Sequence, residues 1–267
     1  MSEPLHVHTY GAVDGPPLLA IHGVSAHGLR FATMAVAAFP SFHVIAPDLR
    51  GHGLSPAGEH GRSVRVEDHL DDLVRVLDDQ GVGPVTVVGH SFGGCLGAHL
   101  LARFPERVTS LVLLDPAIGL RAERTSEIAE QMISGDRGYA TLDELVEIRR
   151  AGRSAAAISH SDADTRLAAV HGPDGWRTAW DHAVVRQAWA EMSRPLPALP
   201  VRRPTLLLDA TQAQFVGPAQ LGHFASELGD AFRVETLDLG HMLYWDDFDT
   251  VCALISAFVE PTPSVVR

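Results

Sequence analysis

Val85-Thr86-Val87-Val88-Gly89-His90-Ser91-Phe92-Gly93-Gly94 decides how this chain is read. The first four residues are an apolar, β-branched run that suits a buried strand. Gly94-Cys95-Leu96-Gly97-Ala98-His99-Leu100-Leu101-Ala102 then reads as a helix. Between them Gly89 to Gly93 match G-x-S-x-G, so Ser91 falls on a sharp strand-to-helix turn, a nucleophile elbow. Glycines flank such a serine because the backbone is strained and neighbouring chains pack closely. The new helix begins with free N–H groups and a positive dipole end, both useful to an oxyanion. The plainer reading is a glycine-rich turn whose serine only caps the helix. The strand before and the helix after favour the catalytic one.

Working outward, strands and helices alternate. Leu18 to Ile21 form an apolar strand ending in His22-Gly23, and Phe42 to Ala46 form another ending in Pro47-Asp48. Between Val64 and Gly81, Leu70, Leu73, Val74 and Leu77 repeat at helical spacing, with Asp71, Asp72, Arg75 and Asp78 between them. After the elbow helix comes Leu111 to Leu114, ending at Asp115-Pro116. Continuous apolar strands alternating with helices imply an α/β fold, a mostly parallel central sheet with helices on both faces. Active groups are then expected at the carboxyl ends of the strands.

The alternation stops after Pro116. From 119 to 200 the sequence shows helical stretches such as Leu142 to Ile148 and no convincing strand. Strands resume at Pro204 to Asp209 and around Phe232 to Leu237, and a last amphipathic helix runs from about Asp247 to Phe258. The expected division is a core of 1–118 and 201–267 with a helical cap, 119–200, inserted in it. Trp176, Trp180 and Trp189 lie in that insertion. They either pin it to the body or line an apolar substrate pocket, the substrate-binding assignment.

Composition narrows the partners. A chain of 267 residues, 46% hydrophobic, can bury a large core. Its net charge of −12 argues against nucleic acid and anionic membranes, which attract basic surfaces. Cys95 and Cys252 are the two cysteines and suggest buried thiols rather than disulfides or a zinc site. Met1 to His8 carry no basic region followed by an apolar stretch, so no secretory signal is expected and the cytoplasm is the default. No uncharged apolar run suggests a membrane span. No cofactor and no metal are expected, since His6, His8, His160 and His171 show no ligand grouping.

These motifs together resemble the α/β-hydrolase fold superfamily. The resemblance rests on Ile21-His22-Gly23, the block Ala46 to Ser55, Gly89 to Gly94, Leu111 to Pro116 and Gly240-His241, in that order. It implies a serine nucleophile, a late histidine base and a helical cap after the sixth strand. It does not imply the substrate, because the fold hosts many chemistries. A hydroxyl needs a base to remove its proton. Of 15 histidines, His241 holds the family's position, in the chain order Ser…acid…His. The expected oxyanion donors are the backbone N–H groups of Phe92, after the nucleophile, and by resemblance Val24, after His22-Gly23.

The acid is where the chain departs from its family. Relatives usually carry it in the loop after the seventh strand, but here that loop reads Ala210-Thr211-Gln212-Ala213-Gln214-Phe215-Val216. Asp115, at the end of the sixth strand, and Asp209, at the end of the seventh, are the candidates, with Asp115 preferred and Asp238 a weaker option. The expected activity is a serine hydrolase cleaving small-molecule carboxylic esters through an acyl-enzyme. The alternatives are a carbon–carbon bond hydrolase, or a ligand-binding or receptor protein with a weakened triad.

Overall fold

The computed structural model describes residues 3–57 and 64–259. Residues 1–2, 58–63 and 260–267 of the expected core lie outside the described residues. The main strands are β1 (Val7–Gly11), β2 (Pro17–Ile21), β3 (His43–Pro47), β4 (Val85–His90) and β5 (Val108–Leu114). A short pair follows, β6 (Ala169–Gly172) and β7 (Gly175–Thr178), and then β8 (Thr205–Ala210) and β9 (Phe232–Leu237). Seven of them make one sheet in the order β1-β3-β2-β4-β5-β8-β9, parallel throughout except β1 against β3. The N-terminal strand was not anticipated: His8 and the polar Thr9 break the apolar run that marked the others.

The helices are α1 (Ala32–Ala38), α2 (Val66–Asp79), α3 (Phe92–Arg103), α4 (Ala122–Gly135) and α5 (Leu142–Arg150). They continue with α6 (Ile158–Ala168), α7 (His182–Glu191), α8 (Pro218–Leu228), α9 (Leu243–Asp246) and α10 (Phe248–Val259). Side chains alternate across each strand, so the apolar runs feed two cores. Leu19, Ile21, Val87, Leu111, Leu113 and Leu207 pack with residues of α2, α3 and α8. Leu18, Ala20, Val88, Val112, Leu114 and Leu208 pack on the opposite face with α1 and α10. This is the physical reason the strands read as continuously apolar. In α2 the polar face holds one exception: Asp72 is buried and accepts from Arg50 Nη2 at 2.6 and 2.5 Å.

The segment 119–200 contains α4 to α7, with α4 packed on α7 and α5 on α6. It also contains two strands, which corrects the purely helical expectation. β6 and β7 form an antiparallel hairpin that pairs His171 with Trp176 and Gly172 with Gly175. Its strands are largely solvent-facing and carry no alternation of buried and polar residues, so no period marked them. No helix among the described residues is long and apolar enough to cross a membrane.

Candidate active site

β4 runs directly into α3, and Ser91 occupies the single residue between them. Its φ of 56° and ψ of −117° put a non-glycine residue where L-amino acids are strained. Several bonds hold it there. The Ser91 N–H donates to the Leu114 carbonyl at 3.0 Å, and the Ser91 carbonyl accepts from Gly94 at 3.0 Å, Cys95 at 3.1 Å and Ala117 at 3.1 Å. The flanking glycines are there for space. A Cβ on Gly89 would run into the Gly93 carbonyl, and one on Gly93 would run into the Ile21 carbonyl.

Asp115 directly follows β5, the strand next to the serine's, and also has a positive φ, 42°. Its N–H donates to Leu208 at 2.8 Å, which fixes the backbone against β8. The carboxylate is fully buried. One oxygen, Oδ2, accepts from His241 Nδ1 at 2.5 Å, and the other accepts from the Ala210 N–H at 3.3 Å. That pairing assigns the proton to Nδ1 and leaves Nε2 with the lone pair. Burial pushes the Asp115 carboxyl above the ordinary range, opposed by the Ala210 hydrogen bond and by the charge of Arg124. Desolvation, then the charges of Arg153, Arg30 and Arg124, hold His241 well below the ordinary histidine range. The imidazole is therefore uncharged at neutral pH.

Asp209 ends up elsewhere. It lies near the end of β8, buried, and no hydrogen bond joins it to His241 among the described residues. Burial, and then Asp115 nearby, push its carboxyl up. Asp238 is bonded by Thr211 and Gln212. The loop after β8 instead presents Phe215, whose ring centroid lies 4.5 Å from that of His241.

Two loops close on Ser91. A Cβ on Gly23 would sit 2.9 Å from the Ser91 Cβ, so the His22-Gly23-Val24 turn passes directly over the serine. His22 braces that turn: its Nδ1 donates to Gly23 at 2.7 Å and its Nε2 accepts from the Leu49 N–H at 2.8 Å. Phe92, the first residue of α3, has its side chain fully buried and its N–H among the free amides of a helix start. His90 braces the opposite loop, donating from Nε2 to the His241 carbonyl at 2.9 Å.

The three tryptophans part company. Trp180 is buried and lines a cavity of about 280 Å³ formed by α4, α5, the loop after α5 and Thr178 at the end of β7. Trp189 is buried, donates to Met132 Sδ at 3.2 Å and packs against Phe215 with ring centroids 6.1 Å apart. Through Phe215 it reaches the histidine. Trp176 sits on the hairpin, exchanging backbone hydrogen bonds with Tyr139 of the cavity wall, and does not itself line the cavity.

Sequence reasoning missed the arginines. Arg30 forms a bidentate pair with Asp164 of α6, at 2.8 and 2.5 Å. Arg124 donates to the Gln214 and Ala213 carbonyls at 2.6 and 3.1 Å, with its guanidinium 4.8 Å from the Phe215 ring centroid. Arg153 stands over Trp245 at 5.3 Å. They are far apart in sequence and follow no motif, so only the folded chain brings them to the histidine. One ligand-like group also forms: His6, His8 and Asp48 have donor atoms within 4.8 Å of one another. Asp48 already accepts from the Gly28 and Leu54 N–H groups, at 2.6 and 2.9 Å, so it serves as a loop anchor.

A mostly parallel sheet with a serine elbow after β4, an acid after the neighbouring β5 and a histidine after β9 defines a class: the chain belongs to the α/β-hydrolase fold family. The family model matches residues 16–144. Among individual proteins it is similar to lipase LipV of Mycobacterium tuberculosis, 34% identical over 263 residues, or 96% of this chain and 98% of the relative. It is also similar to 2-(acetamidomethylene)succinate hydrolase of Mesorhizobium japonicum, 29% identical over 140 residues, 52% of this chain and 49% of that one. A crystal structure of E-2-(acetamidomethylene)succinate hydrolase superposes with a TM-score of 0.85 at 19% identity, covering 98% of this chain and 99% of that one.

Proposed function

We propose that this α/β hydrolase is a serine hydrolase that cleaves carboxylic esters through an acyl-enzyme, with Ser91, His241 and Asp115 as its triad. The observation that carries the reading is the Asp115–His241 hydrogen bond at the strand ends beside the strained Ser91 turn. His241 Nε2 takes the Ser91 proton as Oγ attacks the ester carbonyl. The imidazolium that forms is stabilised by Asp115 and returns the proton to the leaving alkoxide. Water then repeats the sequence on the acyl-serine and releases the acid. The N–H groups of Phe92 and Val24 stabilise each tetrahedral oxyanion; a group of this kind contributes on the order of 10²-fold or more. The segment 119–200 acts as a cap, with Trp180 and Trp189 shaping the acyl pocket.

The full-length similarity to a lipase supports ester cleavage. A second reading, cleavage of a bond other than an ester, draws on the relative named as an acetamidomethylenesuccinate hydrolase. Steady-state turnover on short and medium 4-nitrophenyl esters tests the first. Wild-type protein is expected to turn them over repeatedly and Ser91→Ala to leave no more than background. Undiminished hydrolysis by Ser91→Ala overturns it, and inactivity on every ester alongside cleavage of an acetamidomethylene substrate moves the assignment to the second.

A further inference from the structure

The cavity against Trp180 carries a charge that the ester reading does not use. Its wall combines apolar groups, Met132, Leu145 and Trp180, with the guanidinium-bearing residues Arg149 and Arg153. Arg149 belongs to the last turn of α5, and Arg153 lies in the loop that follows it, on the same cavity wall. Most neighbouring arginines are matched. Arg30 has Asp164, Arg150 has Asp162 and Glu147, and Arg124 has two carbonyls. Among the described residues neither Arg149 nor Arg153 makes an ion pair with a carboxylate. The acid on the cavity wall, Asp136, is engaged by His182 at 2.8 Å.

Two like charges on the wall of one cavity repel one another, a cost that a bound anion lowers. Burial, then the charge of Arg30 and, for Arg149, that of Arg153, lower the pKa of both groups, against the opposing charges of Asp164, Asp136 and Asp246. This concentration of positive charge lies in a chain whose net charge is −12, so it is a local feature and not part of a basic surface. It is also tied to the reacting centre. Next to Arg153, the Ser154 hydroxyl bonds Asp246, and the other oxygen of Asp246 accepts from the Gly240 N–H at 3.0 Å. Gly240 precedes His241, and the Arg153 charge acts on that imidazole.

We infer that this cavity is a carboxylate subsite, in which Arg149 and Arg153 bind a free carboxylate carried by the substrate. The substrate class is then a short ester bearing a second, ionised carboxyl group. This assignment rests on the hydrolase reading of Ser91 for its reaction, but the subsite itself is testable without turnover. A guanidinium offers paired N–H donors that match a carboxylate, which makes arginine the suitable residue here.

The test is calorimetric titration of the full chain with glutarate and with its uncharged analogue glutaramide. Glutarate is expected to bind at least about tenfold more tightly, the scale of one charge-assisted hydrogen bond. Arg149→Gln and Arg153→Gln should each remove that preference, and Arg→Lys at either position should keep part of it, with thermal melting confirming the fold. Competitive inhibition of a neutral 4-nitrophenyl ester by glutarate should follow the same order. Equal binding of the two compounds, no binding of either, or undiminished glutarate binding in both Gln variants overturns the subsite. Ester turnover without glutarate binding leaves the serine hydrolase reading standing. Arginine-dependent glutarate binding without turnover of any ester overturns that reading and leaves the subsite.

Discussion

At the scale of single residues, the acid is the most informative position. The sequence narrowed it to strand-end aspartates, because the usual loop carries no carboxylate between Ala210 and Val216. What separates Asp115 from Asp209 is direction, which no spacing encodes: a positive φ at Asp115 turns its carboxylate towards His241. Replacing Asp115 by asparagine keeps the shape but allows the wrong imidazole tautomer, and the proposed triad then loses on the order of 10⁴-fold in kcat. Asp209→Asn, which removes no hydrogen bond to His241, should stay within about threefold of wild type. Both variants, assayed on one activated ester and melted in parallel, decide the point. Near-normal turnover by Asp115→Asn contradicts the assignment. Ser91 and His241 were legible because each is part of a short local motif. Phe215, Arg124 and Arg153 were not, because their role arises only when distant loops meet.

At the scale of elements, buried strands were readable and exposed ones were not. β2, β4, β5 and β8 are apolar on both faces, since each face packs on a separate core. The β6–β7 hairpin packs on little, and its pairing comes from backbone bonds and from the Trp176–Tyr139 bridge. The same contrast ranks the tryptophans. Trp180 lines the cavity and Trp189 reaches His241 through Phe215, while Trp176 belongs to the hairpin. Trp180→Ala and Trp189→Ala should therefore shift relative rates along an ester chain-length series towards longer acyl groups, by a few-fold per methylene, given ~0.8 kcal/mol for each buried CH₂. Trp176→Ala should leave that profile unchanged. An unchanged profile in all three variants would make these rings packing alone.

At the scale of the whole molecule, burial of histidines makes stability depend on acid. His22, His52, His69 and His90 are all buried, and burial lowers each below the ordinary histidine pKa, with His52 down to about 4 and His69 to about 3. The unfolded chain takes up these protons near pH 6.5 while the folded chain does not, so the stability they contribute is present above pH 6.5 and is lost as pH falls below it. Each contributes a loss of about 1.4 kcal/mol per pH unit until its folded pKa is reached. Asp115 and Asp72 act in the opposite sense, since their carboxyls are raised by burial and bind protons earlier in the folded state. His241 is lowered as well and the Asp209 carboxyl raised, so the lowered histidines still outnumber the raised carboxyls and the thermal midpoint should fall steeply between about pH 6.5 and 4. A flat profile across that window would show that these imidazoles are not buried uncharged. The composition anticipated extensive apolar burial, and the apolar strands anticipated a sheet covered on both faces. Residues 119–200 stand out in the sequence as a break in alternation, but the ion pairs Arg30 to Asp164 and Arg194 to Glu67 join residues too remote for any pattern to link.

The central claim is that Ser91 carries the acyl group. Mixing the protein with a slowly deacylating 4-nitrophenyl ester, quenching in acid and mapping the peptides by mass tests it most directly. The expected result is one acyl group on the peptide containing Ser91, formed as fast as the first burst of nitrophenol and absent from Ser91→Ala. Continued turnover with no acyl group on that peptide, or with the acyl group on another residue, would contradict it.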